Sequence, residues 1–125
     1  MSKVLIVDDS PTLSAMFRKF FAREGHEVLE AGDGRRALEL AKAERPDLMV
    51  LDNMLPEING FDVCRLLKAD EQFKSIKILL LTGSKDEASM AIGKKTGADI
   101  YLTKDCGLAH VFEVAGALLE DGVPK

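Results

Sequence analysis

No stretch of this chain approaches the roughly 20 consecutive apolar residues of a membrane-spanning helix, so membrane insertion is not expected. Cysteine is scarce: Cys64 and Cys106 stand alone, with no CxxC pair. Two reduced thiols in a cytoplasmic protein are the expectation. His26 and His110 have no partners at metal-ligand spacing and are assigned structural roles. Positive charge is in deficit, with a net charge of −4, which argues against direct nucleic-acid binding. Internal repeats and low-complexity segments are absent, and Met1-Ser2-Lys3-Val4 leads straight into a strand pattern rather than a signal peptide.

What is present fits one folded domain over residues 1–125. The chain is 46% hydrophobic and 30% charged, enough to bury a single core and too apolar for disorder. Its centre is the stretch from Pro46 to Pro56. Leu48 to Leu51 is an unbroken apolar run, too short for a helix and without alternation, as in a strand buried on both faces. Asp52 follows directly. A carboxylate at the end of a buried strand is costly unless it meets water, a metal or a donor. Asn53, Pro56, Asn59 and Gly60 mark the loop beyond it.

The remaining pattern alternates. Lys3–Val7 is a buried strand ending at Asp8-Asp9, with Ser10 as N-cap and Pro11 as first residue of a helix. Leu13, Met16, Phe17, Phe20 and Phe21 form that helix's apolar side, and Gly25 stops it. His26–Ala31 is a more polar strand nearer an edge. A second helix follows with Ala37, Leu38, Leu40 and Ala41 inward, closed by Pro46. A third runs from Gly60 to about Ala69, carrying Phe61, Cys64 and Leu67. Lys77–Thr82 is the fourth strand. Ser84 and Glu87 cap a fourth helix that stops at Gly97. Asp99–Thr103 is the fifth strand, ending at Lys104. Leu108, Val111, Phe112, Ala115, Leu118 and Leu119 mark the fifth helix, ended by Gly122. Five strands alternating with five helices predict a (βα)5 unit, a doubly wound parallel sheet with helices on both faces. The pattern alone does not set the strand order.

Parallel strands bring Asp8, Asp9, Asp52, Thr82 and Lys104 to one edge. Three carboxylates there repel one another, and oxygen ligands select a hard cation such as Mg²⁺. A hydroxyl and an ammonium supply donors for phosphate oxygens. The set suits phosphoryl transfer to Asp52 as nucleophile, by positioning and charge neutralisation. Singly, these residues have plainer uses: capping acids, a strand-end threonine, a packing tyrosine at 101, a solvated lysine. Their convergence overrides those uses.

Along nearly its whole length the chain resembles the receiver domains of bacterial two-component response regulators. Asp8-Asp9, Asp52, Thr82 and Lys104 match that family's site in order and spacing, as do Pro56 and Gly60 in the loop, Gly83 beside the threonine, and Tyr101 as the switch aromatic. The resemblance implies a flavodoxin-like sheet of order 2-1-3-4-5. It implies Mg²⁺ held by Asp9, Asp52 and the Met54 backbone carbonyl, with Asp8 acting through bound water. It also implies phosphorylation of Asp52 by a sensor histidine kinase, a phosphotransfer protein or a small phosphodonor. Thr82 then moves toward the phosphoryl group, Tyr101 turns inward, and Lys104 pairs with the phosphate. The surface made by the fourth helix, fifth strand and fifth helix changes its affinity for an output protein or domain. Gly83, Met54 and Ser84 govern access to the phosphoryl group. The implied state is a monomer or a phosphorylation-dependent dimer, acting as a signalling module rather than as an enzyme with a separate substrate. No output domain follows in this sequence, as in a stand-alone regulator or a receiver cut from a longer protein.

Asp105 departs from the pattern, standing where the family usually has proline. A trans Lys104–Asp105 peptide is expected, because a cis bond before a non-proline residue costs about 2.5–4 kcal/mol. The departure leaves room for a receiver-like interaction module that signals without phosphate, although the intact acidic set speaks against it. A Mg²⁺-dependent phosphohydrolase is a weaker alternative, since that class places D-x-D after its first strand and here Ser10 stands two after Asp8. Gly32-Asp33-Gly34-Arg35-Arg36-Ala37 also fits a dinucleotide-binding G-x-G-x-x-A. Glu27 and Glu30 in the preceding strand and the capping position of Asp33 count against that use.

Overall fold

The computed structural model describes residues 2–53, 55, 58–82, 95–103 and 107–121, with side chains to residue 119. Met54, Gly83, Ser84, Lys104, Asp105, Cys106, Gly122 and most of the expected fourth helix lie outside the described residues. The strands are β1 (Lys3–Val7), β2 (Glu27–Ala31), β3 (Leu48–Asp52), β4 (Lys77–Thr82) and β5 (Ile100–Thr103). The described helices are α1 (Pro11–Arg23), α2 (Gly34–Glu44), α3 (Gly60–Ala69) and α4 (Leu108–Asp121), the last being the helix expected fifth. All strand pairs are parallel, in the order β2-β1-β3-β4-β5. This is the flavodoxin-like doubly wound sheet, with the more polar β2 at an edge, as its sequence suggests.

The period-2 geometry of the strands divides the core in two. Leu5, Val7, Met49, Leu51, Ile78 and Leu80 face α2 and α3, where they meet Ala37, Ala41, Phe61 and Leu67. Val4, Ile6, Leu48, Val50, Leu79 and Leu81 face α1 and α4, where they meet Phe17, Phe21, Val111, Ala115 and Leu119. The central strands are therefore apolar on both faces over residues 4–7, 48–51 and 78–81, which removes the alternation of a half-exposed sheet. Phe20 and Phe112 stack at 4.2 Å between centroids and join α1 to α4. Cys64 lies in the first core with its thiol toward the Thr96 carbonyl. Burial pushes that thiol up, which keeps it neutral near pH 7.

Three helix starts follow their capping residues. Ser10 Oγ accepts from Leu13 N at 3.3 Å, with Pro11 in the first turn. Asp33 accepts from Arg36 N at 2.8 Å, and Asn59 accepts from Asp62 N at 2.9 Å. Each satisfies an N–H that the helix itself leaves unpaired. The capping role of Asp33, in the turn after the edge strand β2, is that of a helix start rather than of a pyrophosphate cradle.

Two details differ from expectation. Met16 is 42% exposed, and Ser14 is buried on that side of α1 instead. Met16 lies at the rim of the face centred on Phe17, so its hydrophobicity misplaces it by a fraction of a turn. At the end of α2 the turn is made by Arg45, in the left-handed region at φ 46°, rather than by Pro46 itself. Proline disfavours the right-handed helical region for its predecessor. The Arg45 guanidinium lies over the Phe73 ring at 5.2 Å.

Gly60 allows α3 to approach β3. A Cβ there would collide with the Asp52 carbonyl and come within 2.7 Å of Asn53 Cα. Gly116, inside α4, has nothing within 4 Å of its notional Cβ. Gly60→Ala should therefore lower stability by about 1–3 kcal/mol through overpacking. Gly116→Ala should raise it by about 0.5–1 kcal/mol through the unfolded chain's entropy. Urea denaturation midpoints of the two variants, moving in opposite directions, check this assignment.

Candidate functional site

The parallel register places the chemistry. Val7 pairs with Leu51, so Asp8 leaves the sheet beside Asp52, at the end of β3. Asp52 pairs with Leu81, and Thr82 stands one residue further along β4. All three lie at the C-terminal edge, where open α/β sheets form their crevices. Asp8 is 6% exposed, Asp52 2% and Thr82 1%, whereas Asp9 is exposed. Carboxylate oxygens of Asp8, Asp9 and Asp52 lie within 4.8 Å of one another. Two buried acids and one exposed acid thus form a single acidic pocket that opens to solvent on the Asp9 side.

Local structure holds this pocket. Asp8 Oδ1 accepts from Ser10 N at 2.8 Å, and Asp8 N donates to the Ala31 carbonyl at 3.1 Å. The turn that starts α1 therefore fixes Asp8. A cleft of about 270 Å³ beside it is lined by Asp8, Asp9, Pro11, Ser14, Glu30 and Gly32. Glu30 is paired with Arg18 at 2.7 Å on its outer side. The donor set is oxygen only, three carboxylates gathered in one pocket. That composition fits a hard divalent cation.

Thr82 shares the sheet face of Leu80, and Thr103 opposite it shares that of Tyr101, so Thr82 and Tyr101 belong to the α2–α3 side. The Tyr101 ring stacks on Phe61 at 6.4 Å with 11° between planes. Its hydroxyl is buried and finds no hydrogen-bond partner among the described residues. Asp8, Asp9, Asp52 and Thr82 are thus gathered at one edge, with Tyr101 on the neighbouring strand. Met54, Gly83, Ser84 and Lys104 lie outside the described residues.

Asn53 carries more hydrogen bonds than its place in a loop suggests. Its backbone N–H donates to the Leu81 carbonyl at 2.8 Å, and its carbonyl accepts from Leu55 N and Gly60 N at 3.1 and 3.0 Å. Its side-chain Oδ1 accepts from Phe61 N at 3.2 Å. An asparagine eight residues before a helix's second residue matches no capping spacing, so only the folded loop exposes this contact.

The family model for the response regulator receiver domain matches residues 4–115. The DNA-binding response regulator MtrA of Mycolicibacterium smegmatis is 41% identical over 102 residues, covering 82% of this chain and 43% of MtrA. This chain therefore spans less than half the length of that relative. Protein PilH of Pseudomonas aeruginosa is 34% identical over 119 residues, covering 95% of this chain and 98% of PilH. Among solved structures, the signal receiver domain of a signal transduction histidine kinase from Syntrophus aciditrophicus superposes with a TM-score of 0.92 at 29% identity, covering 100% of this chain and 95% of that one. The Mn²⁺-bound form of response regulator Rcp1 superposes with a TM-score of 0.81 at 25% identity, covering 94% and 91%. With its sheet order, its acidic pocket and a family match over nearly its whole length, the chain belongs to the response regulator receiver domain family.

Proposed function

We propose that residues 1–125 form a single phosphoacceptor domain in which Asp52 takes a phosphoryl group from a histidine kinase or phosphotransfer protein. The observation that carries this is the pocket itself: Asp52, 2% exposed, shares it with two other carboxylates at a sheet edge that also ends in Thr82. A buried acid beside two others is costly unless a cation or donors meet it. It is well placed as a shielded nucleophile. A carboxylate oxygen of Asp52 attacks phosphorus, the bond to the donor's histidine nitrogen breaks, and the electron pair leaves with the imidazole. Thr82 supplies a hydroxyl donor to the new phosphoryl oxygens, and Lys104 supplies a cation. Gly83, Met54 and Ser84 set access to the phosphorus.

Asp9, Asp52 and the Met54 carbonyl are the groups that would hold Mg²⁺, with Asp8 acting through water. The bound metal supplies positive charge against the three carboxylates and the incoming phosphoryl oxygens. Tyr101 senses the change through Thr82, and the surface made by the helix expected between β4 and β5, by β5 and by α4 carries it to an output protein or domain. The cell compartment that fits such a relay is the cytoplasm.

Acetyl phosphate with Mg²⁺ should place one labile phosphate on the protein, read by intact mass, and Asp52→Asn should abolish it. Thr82→Ala should still accept phosphate but lose most of the change in amide exchange over β5 and α4. An identical exchange change in the two proteins refutes the role of Thr82.

Like-charge crowding gives a separate test. Asp9→Asn should stabilise the metal-free domain by on the order of 1 kcal/mol, the Coulomb scale for close charges near water. Mg²⁺ should raise the melting temperature of the parent by binding the native state, and that rise should nearly vanish in the variant. Melting curves that ignore Mg²⁺ in both proteins overturn the metal assignment.

A further inference from the structure

The first turn of α3 leaves N–H groups that the helix cannot satisfy. Asn59 takes the one on Asp62. The other two go to a single residue. Gly60 N donates to the Asn53 carbonyl at 3.0 Å, and Phe61 N donates to Asn53 Oδ1 at 3.2 Å. The Asn53 N–H is itself bound to the Leu81 carbonyl, next to Thr82. Asn53 therefore ties together the ends of β3 and β4 and the start of α3, one residue from Asp52. Gly60 removes any side chain from between them. Phe61, held through its backbone, presents its ring to Tyr101 at 6.4 Å, within the range of a stabilising aromatic pair.

We propose that Asn53 is a positioning residue: its amide oxygen fixes Phe61, and with it the ring that Tyr101 rests on, relative to the Asp52 backbone. A change at Asp52 then reaches Tyr101 from the α3 side, in addition to any route through Thr82. This rests on the assignment of Asp52 as phosphoacceptor.

The chain has one tyrosine and no tryptophan, so its intrinsic fluorescence reports Tyr101 alone. Beryllofluoride with Mg²⁺ mimics the phosphoryl group, and fluorine NMR measures how much is bound. Asn53→Leu keeps the size and removes the acceptor, whereas Asn53→Asp keeps an acceptor oxygen. Per bound beryllofluoride, Asn53→Leu should lose at least half of the parent's fluorescence change, and Asn53→Asp should retain most of it. A full change in Asn53→Leu, or equal loss in both variants, overturns the inference alone. No bound fluorine signal in the parent overturns the assignment of Asp52 and the inference with it. Amide exchange on the unmutated protein is independent of any folding defect in the variants. Phe61 N–H should be protected as well as Val63 N–H, and exchange at the rate of an open loop refutes the tether.

Discussion

Three carboxylates held within 4.8 Å at the end of a buried parallel sheet are the constraint on which this molecule depends. Coulomb repulsion and lost hydration both oppose that arrangement. The register of the sheet imposes it. β1 and β3 are buried on both faces and locked in register, so their C-terminal residues emerge side by side. The energy that holds the acids together comes from the two apolar cores, whose strand side chains dominate the fully buried set. Under the proposed function, such a site is poised to take up a cation. Any ligand that relieves the repulsion is bound more tightly for it.

Elements on both sides of β3 hold the pocket. The turn into α1 fixes Asp8 through Ser10 N. On the other side of β3, glycine lets backbone meet backbone: Gly60 lies against Asp52 and Asn53, and a Cβ at Gly34 would collide with the Ile58 carbonyl. Ile58 therefore packs against the start of α2, and Asn53 against the start of α3. Burial falls off toward β5, whose residues are all intermediate, and Tyr101 lies there with its hydroxyl buried and unpartnered among the described residues.

Much of this was legible in the sequence, for physical reasons. The unbroken apolar runs at residues 4–7, 48–51 and 78–81 could only be strands covered on both sides, and strands so covered need helices between them. The caps at Ser10, Asp33 and Asn59 follow from side chains that compete for backbone N–H groups. The strand order was not in the pattern and came from resemblance to receiver domains, which the sheet bears out. Met16 and Ser14 exchanged places because a hydrophobic residue at the rim of a helical face is not distinguishable by periodicity from one at its centre. Arg45 escaped notice because nothing local in the sequence marks an arginine for the left-handed region, and its ring partner Phe73 is distant in sequence. The role of Asn53 was hidden for the same reason: its partners Phe61 and Leu81 become neighbours only when β3, β4 and α3 meet.

The most direct measurement of the central claim is to trap the acyl phosphate chemically. The protein is incubated with acetyl phosphate and Mg²⁺, reduced with borohydride, and mapped by peptide mass spectrometry. An aspartyl phosphate is reduced to homoserine, which marks the residue that carried it. The account predicts homoserine at position 52 and at neither Asp8 nor Asp9. Conversion at Asp8 or Asp9, or no conversion in a protein shown to be folded and to bind Mg²⁺, would contradict it.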